Sequence, residues 1–483
     1  MILDSRSRWL ALLIVCLGDL MIVLDVTIVG VALPSIREDL GFSETSLAWV
    51  VNAYLLTFGG FLLLGGRLGD LFGHRRLFLA GITLFTLASL ACGLAGSQAT
   101  LIAARAVQGV GGAIVSAVAL SLIVTLFTEP GERAKAMGFF GFVAAGGGSI
   151  GVLLGGLLTD AFSWSWIFLV NVPIGIAVVV FSLLVLPGGR GISGVRLDIA
   201  GAVVVTASLM VAVYAIVNGN EVGWTTVQTL GLLAVAAVLL GLFLWIELHV
   251  EAPLVPLGLF RLRNLAISNV VGVLWAAAMF AWFFLSALYL QLVLGYTPME
   301  VGLAFLPGNI IMAVFSLGLS AKLVMRFGIR RPLGLGLGLA AVGLLLFARA
   351  PVDGTFAIDV LPSMVLLGFG AGMAFNPLLL AAMGDVSQEE AGLASGVVNT
   401  AFMMGGALGL AVLASLAASR TDALTGDGAN ELEALTGGYH VAFLVGAIFA
   451  AGAAALGGFL LRPKEMPAMQ GHSHELEPAT ETA

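Results

Sequence analysis

Three ionisable residues fall deep inside the long apolar runs of this chain: Asp19 and Asp25 in the first run and Arg105 in the fourth. A charge at bilayer depth is costly unless it is paired or hydrated, so each is a functional candidate by default. At 1.5 Å per helical residue, Asp25 lies about 12 Å from the outer end of its helix near Leu33, and Arg105 about 9 Å from the outer end of its own near Ala99. Similar depth makes contact between them possible. Desolvation favours the protonated carboxyl and a nearby guanidinium the ionised one, so small changes in their separation would switch proton binding. In this reading Asp25 takes up a proton, with Arg105 and Gln108 setting its affinity; a static ion pair or a hydrated acid is the alternative. Asp19 lies six residues earlier, about 120° around the helix axis from Asp25, so the two need not face one cavity. It suits a cationic substrate, a second proton site or a packed, protonated acid.

Two other groups are candidates. Gly147, Gly151 and Gly155 recur every fourth residue, with Gly156 beside them, and make a smooth face on which another helix backbone can pack. The second half of the chain has no ionisable residue deep in its apolar runs. Its polar candidates include Asn309, Asn376 and Asn399, accompanied by Trp275, Phe280, Trp282, Phe283 and Tyr289. Aromatic surface suits bulky, greasy cargo better than a sugar, because affinity then comes from area and not from hydrogen bonds. Taken singly, each of these residues also reads as ordinary core.

The elements that must position these residues follow from composition. Of 483 residues, 60% are hydrophobic and 10% charged, whereas soluble domains run near about 45–50% and about 25%. The chain is therefore expected to be an all-α protein in a lipid bilayer. A roughly 19-residue window places fourteen helices near 9–33, 46–66, 77–96, 99–127, 137–158, 166–186, 200–217, 228–247, 266–294, 301–323, 333–349, 358–382, 392–418 and 439–461. Of 21 Lys and Arg residues, 17 fall on one side, 3 (Arg37, Arg349 and Arg420) on the other, and Arg105 within a span. Positive residues accumulate on the cytoplasmic side, so both termini are expected there. Arg6 and Arg8 before a run holding two acids are read as the start of a retained first helix and not a signal peptide.

The chain also repeats itself. Leu40-Gly41-Phe42-Ser43 returns as Leu294-Gly295-Tyr296-Thr297, and Gly73-His74-Arg75-Arg76 as Gly328-Ile329-Arg330-Arg331. An even number of crossings separates the copies, as in parallel repeats about an axis along the membrane normal. The expected architecture is 6+2+6: a six-helix bundle over 1–187, an inserted helix pair over 188–258, a second bundle over 259–463 and a disordered tail over 464–483.

Four motifs in order now carry a resemblance covering nearly the whole chain. Gly66-Arg67-Leu68-Gly69-Asp70-Leu71-Phe72-Gly73-His74-Arg75 fits G-x-L-a-D-r-x-G-r-k, and Leu101 to Ala113, with Arg105, Gln108 and Gly109, fits l-x-x-x-R-x-x-Q-G-x-g-a-a. Leu24 to Pro34 and Trp166 to Gly175 are similar to further motifs of the same group. The chain thus resembles the major facilitator superfamily, and within it the fourteen-span drug:proton antiporter branch. The resemblance implies a gate latch in the loop after the second span, carried by Gly66, Asp70, Gly73 and Arg75. Three departures stand out: Gly30 where Asn is usual, Val152 where the fifth-helix motif has Pro, and Met325 at the aspartate position of the second loop motif.

No G-x-x-x-x-G-K-[ST] loop is found, and His and Cys show no metal-ligand spacing, so neither a cofactor nor enzymatic activity is expected. The net charge of -7 does not suggest a nucleic-acid partner. Cys16 and Cys92, both in apolar runs, read as small buried hydrophobes. An ion gradient remains as the energy source; one proton falling through 100 mV supplies about 2.3 kcal/mol. The expectation is a monomeric exporter of lipophilic small molecules, cationic ones among them, coupled to protons by alternating access in a bacterial cytoplasmic membrane. A nutrient symporter or facilitator on the same scaffold, and a non-transporting receptor or lipid-binding scaffold, are the alternatives.

Overall fold

The computed structural model describes residues 5–188, 198–315, 319–386 and 390–462. Among them all regular structure is helical. The first bundle comprises α1 (Ser5–Leu40), the short α2 (Glu44–Leu47), α3 (Trp49–Phe72), α4 (His74–Gly93), α5 (Gln98–Leu126), α6 (Pro130–Ala161), the short α7 (Trp166–Leu169) and α8 (Asn171–Val185). An intervening pair follows, α9 (Ile199–Val222) and α10 (Val227–His249). The second bundle comprises α11 (Arg263–Leu288), α12 (Pro298–Val314), α13 (Ser320–Phe327), α14 (Arg330–Phe347), α15 (Leu361–Met383), α16 (Ala391–Gly426) and α17 (Glu431–Ala455). Twelve described helices are long and apolar enough to cross a membrane, and Ile150–Ala161 and Pro298–Val314 are shorter apolar helices. Without water in the hydrocarbon, the main chain must satisfy its own polar groups, and helices do so within each segment. The expected tail, 464–483, and Arg190 and Arg196 of the 188–258 segment lie outside the described residues.

The internal repeat has a structural counterpart at four points. Gly41 and Gly295 both take positive φ, 68° and 71°, and Gly73 and Gly328 take 90° and 74°. Such backbone is open to glycine at little cost. Ser43 and Thr297, two residues after the first pair, each form a capping box at a helix start. Arg75 Nη2 donates to Leu183 O at the end of α8 (2.6 Å), while Arg330 donates to Gly458 O and Phe459 O at the end of the second bundle (3.0 and 2.6 Å). In both halves an arginine thus satisfies carbonyls that a helix C-terminus leaves without donors.

The halves meet along α1, α3 and α6 on one side and α11, α12 and α16 on the other. Because consecutive long helices alternate in direction, Gly41 and Gly295 mark one end of the bundle and Gly73 and Gly328 the other. At the Gly41 end the seam is closed. A Cβ on Gly156 would lie 2.5 Å from Pro298 O, and Gln291 Nε2 donates to Val31 O at 2.8 Å. At the Gly73 end a cleft of about 530 Å³ separates α3 and α5 from α16, lined by Gly66, Arg67, Ser116, Glu390 and Asn399 among others. The inserted α9 leans on this seam: Ser415 Oγ of α16 donates to Ile216 O (3.2 Å), and Gly60 of α3 leaves room for Thr206. Its partner α10 presents Val227, Val238 and Leu248 outward, as a lipid-facing helix does.

Candidate functional site

The site is built on α5, and glycine brings α5 to its neighbours. A Cβ on Gly109 would collide with Thr57 Oγ1 and stand 2.5 Å from Tyr54 O on α3; one on Gly111 would stand 2.7 Å from Phe85 N on α4. These close approaches set Arg105, about one turn before Gly109, and the adjacent Gln108 against α1, α3 and α4. α1 in turn is drawn onto α6, because Gly151 leaves room for Thr27 and a Cβ on Gly155 would lie 2.6 Å from Ile28 O. Gly147 completes that face against Leu20 and Val23, whereas Gly156 faces the other half at Pro298 and Met299.

Inside this frame the Asp25 carboxylate, fully buried, accepts from three side chains. Arg105 Nη1 donates to Asp25 Oδ2 and, at 2.7 Å, to Gln108 Oε1. Gln108 Nε2 (2.7 Å) and Asn171 Nδ2 (3.2 Å) donate to Asp25 Oδ1. Both amides also reach Ser89 Oγ, which donates to Phe168 O at 2.9 Å. Arg105 Nε donates to Val50 O at 2.9 Å, and its guanidinium lies 4.4 Å from the Tyr54 ring centroid and 5.6 Å from that of Phe168. A buried ion pair survives only when the remaining donors and acceptors are used, and here the ionised acid is held on both oxygens while aromatic faces accept the cation. Among the described polar atoms of the site, Asn171 Oδ1 and Tyr54 Oη are left without partners.

The sequence brought together Asp25, Arg105 and Gln108. It did not single out Ser89, Tyr54 or a role for Asn171. Asn171 stands between apolar residues just before Pro173, which is a usable signal; nothing in the sequence separates Ser89 or Tyr54 from ordinary helix residues. Asp19 is also buried, and Ser116 Oγ of α5 donates to its Oδ1 at 3.4 Å. Despite the 120° offset, Asp19 and Asp25 therefore both turn toward α5, at points 8 residues apart from Gln108 to Ser116. Ser116 also borders the cleft at the Gly73 end.

A second cavity, of about 100 Å³, lies between the halves, walled by Val26, Gly30 and Val31 of α1, Val152 of α6, and Met279, Phe280, Phe283, Phe284 and Phe305 of α11 and α12. Phe280 and Phe283 thus reach the cavity, as the sequence suggests. Trp275, Trp282 and Tyr289 do not: each is about 1% exposed, inside the second bundle. Trp282 backs the wall from behind, with its ring 4.3 Å from that of Phe283, and Tyr289 Oη donates to Pro351 O at 2.7 Å. Asn309 is buried with Nδ2 unpartnered, Asn376 is half-buried on α15, and Asn399 borders the cleft and donates to Ser395 O at 3.1 Å. The latch expected in a loop is spread over two helices: Gly66 lies within α3 and borders the cleft with nothing within 4 Å of a Cβ, Gly73 alone makes the turn, and Arg75, in the first turn of α4, holds α8. The Asp70 side chain lies outside the described residues.

The family model described as Major Facilitator Superfamily matches residues 15–410. The chain is 40% identical over 451 residues to the puromycin resistance protein pur8 of Streptomyces alboniger, covering 93% of this chain and 89% of that one. It is 40% identical over 415 residues to the cephamycin export protein CmcT of Amycolatopsis lactamdurans, covering 85% of each. An auto inhibited POT family peptide transporter, 16% identical, superposes with a TM-score of 0.66 over 96% of this chain and 98% of that one, a likeness of fold.

Proposed function

The chain belongs to the Major Facilitator Superfamily, a membrane transporter and not an enzyme, and on that premise we propose that it exports lipophilic drugs or natural products in exchange for protons. The names of pur8 and CmcT support export of antibiotic-like cargo. The proposal takes the chain as a fourteen-span protein: the twelve apolar helices, α6, and α12 with α13. The excess of Lys and Arg at the Gly73 end supports cytoplasmic termini and a bacterial cytoplasmic membrane. In that orientation the cleft opens inward and the Gly156–Pro298 contact closes the outer side, one of two states of alternating access.

The observation that carries proton coupling is the Asp25 carboxylate held by Arg105, Gln108 and Asn171. Its ionised form has three donors on its two oxygens, and an incoming proton either takes the place of one of them or uses the lone pair left on Oδ2. A neutral carboxyl brings an O–H that needs an acceptor. Turning the Asn171 amide over offers its unpartnered Oδ1 to that O–H. Asp25 is fully buried while its neighbours Val26 and Thr27 wall the cavity, so α1 carries the proton on one face and touches cargo with another. Pro34 has no N–H for the carbonyl of Gly30, so α1 bends outside Asp25 at low cost. A shift of α1 then moves Asp25 relative to α5 and reshapes the cavity together. Asp19, with one long contact to Ser116, plays the lesser part.

The test is drug uptake by everted membrane vesicles energised with an imposed pH gradient. Wild-type protein should accumulate drug and lose it on collapse of the gradient. Asp25→Asn should show no gradient-driven uptake; uptake at the wild-type level would remove proton exchange at Asp25 from the mechanism.

A further inference from the structure

Gly30 sits mid-helix in α1, where glycine weakens a helix relative to alanine. Its φ is not positive and a Cβ there would meet nothing within 4 Å, so neither backbone conformation nor helix packing calls for glycine. Gly18, on the same helix, is different: a Cβ there would lie 2.8 Å from Phe78. What Gly30 does is border the cavity between the halves. Opposite it stand Phe280, Phe283 and Phe305, the last two stacked with centroids 5.4 Å apart and planes 13° from parallel. The one hydroxyl on the wall, Thr27 Oγ1, donates within its own helix to Val23 O and Leu24 O, both at 3.1 Å. The cavity therefore offers area and no free side-chain hydrogen-bond donor. Its volume of about 100 Å³ is of the order of the roughly 150 Å³ apolar cavity that holds a benzene molecule.

We propose that Gly30 is the specificity-determining position of this cavity: the missing side chain leaves a slot, faced by Phe280, Phe283 and Phe305, that takes one aromatic ring of the cargo. The slot rests on the export reading above and narrows its substrate class to molecules carrying a ring that can be inserted edge-on or stacked. Asp25 does not border the slot, so the ring is selected by shape and not by charge.

The test is equilibrium binding of tritiated tetraphenylphosphonium to the purified full chain, with tetrabutylammonium as competitor. The two ions share one positive charge, and only the first carries rings. Gly30→Leu should weaken tetraphenylphosphonium binding at least about tenfold, because the new side chain occupies the ring's place. Gly231→Leu is the control: Gly231 on α10 also has nothing within 4 Å of a Cβ but borders no cavity described here, and its affinity should be unchanged. Both replacements favour the helix, so weaker binding does not reflect lost helix. If Gly30→Leu does not fold, Gly30→Ala carries the test, with a loss of about threefold expected. Tetrabutylammonium should displace the probe at least about tenfold less well than tetraphenylphosphonium itself. Binding by the folded Gly30 variant equal to wild type, equal displacement by both ions, or no saturable binding to wild type would overturn the proposal. Binding needs no gradient, so a chain that binds as expected but shows no gradient-driven uptake would sink proton-coupled export and leave the slot standing.

Discussion

At the scale of single residues, Arg105 joins three groups at once: the Asp25 carboxylate, the Gln108 amide and the Val50 carbonyl, with its plane on the Tyr54 ring. Lysine has neither the fork nor the plane. Arg105→Lys should therefore reduce gradient-driven uptake at least about tenfold while keeping the charge, measured against wild type at matched protein in vesicles. Asn171→Ala removes one donor from a charged acceptor and should lower stability by about 2 kcal/mol, read by thermal unfolding in detergent. Arg105 and Asp25 were legible in the sequence because charge within an apolar run is conspicuous, and Gln108 because it shares the R-x-x-Q-G motif with Arg105. Ser89 and Tyr54 were not, since hydroxyl residues are common in membrane helices and only the packing of α4 and α3 against α5 shows which ones face the acid. The aromatic residues show the opposite failure: type and spacing did not separate Phe283, on the cavity, from Trp282, behind it.

At the scale of elements, the glycines of α5 and α6 determine how near the helices come. Gly109→Ala would press a methyl group on Thr57 and the Tyr54 carbonyl, move α5 off α3 and unseat Arg105. A loss of about 1–3 kcal/mol is expected, with uptake lost in proportion to the displacement. Gly41→Ala and Gly295→Ala, each forcing a side chain into positive φ, should each cost about 1–2 kcal/mol and little else, because a Cβ at either has open space. Helix positions were largely legible from hydropathy, and the repeat from eight residues in two short matches; the capping pairs and positive-φ glycines show why those residues recur. Helix ends were less legible. The first helix was expected over 9–33 and runs over Ser5–Leu40, continuing past Pro34 because proline removes one hydrogen bond without ending a helix whose flanks are packed. The glycine stripe gave the existence of a packed face, but not that three members face α1 and Gly156 the other half.

At the scale of the whole molecule, the two halves touch at the Gly41 end and part at the Gly73 end, and alternating access requires that this be reversed. Cysteines placed at Val31 and Gln291, where the halves already share a hydrogen bond, should on oxidation hold the seam at the Gly41 end shut and block uptake, with recovery on reduction. Uptake unaffected by the cross-link would show that the seam need not open. The inserted α9 leans on both halves, a placement that no motif in the sequence foretold, because contact with α3 and α16 depends on how the seam is packed. The central claim is that the carboxyl of Asp25 gains and loses a proton as cargo crosses. It is tested most directly by loading proteoliposomes with drug at equal internal and external pH, then recording lumenal pH with a trapped dye as the drug leaves. The account predicts a proton flux opposite to the drug in wild type and none in Asp25→Asn; the same flux in both proteins would contradict it.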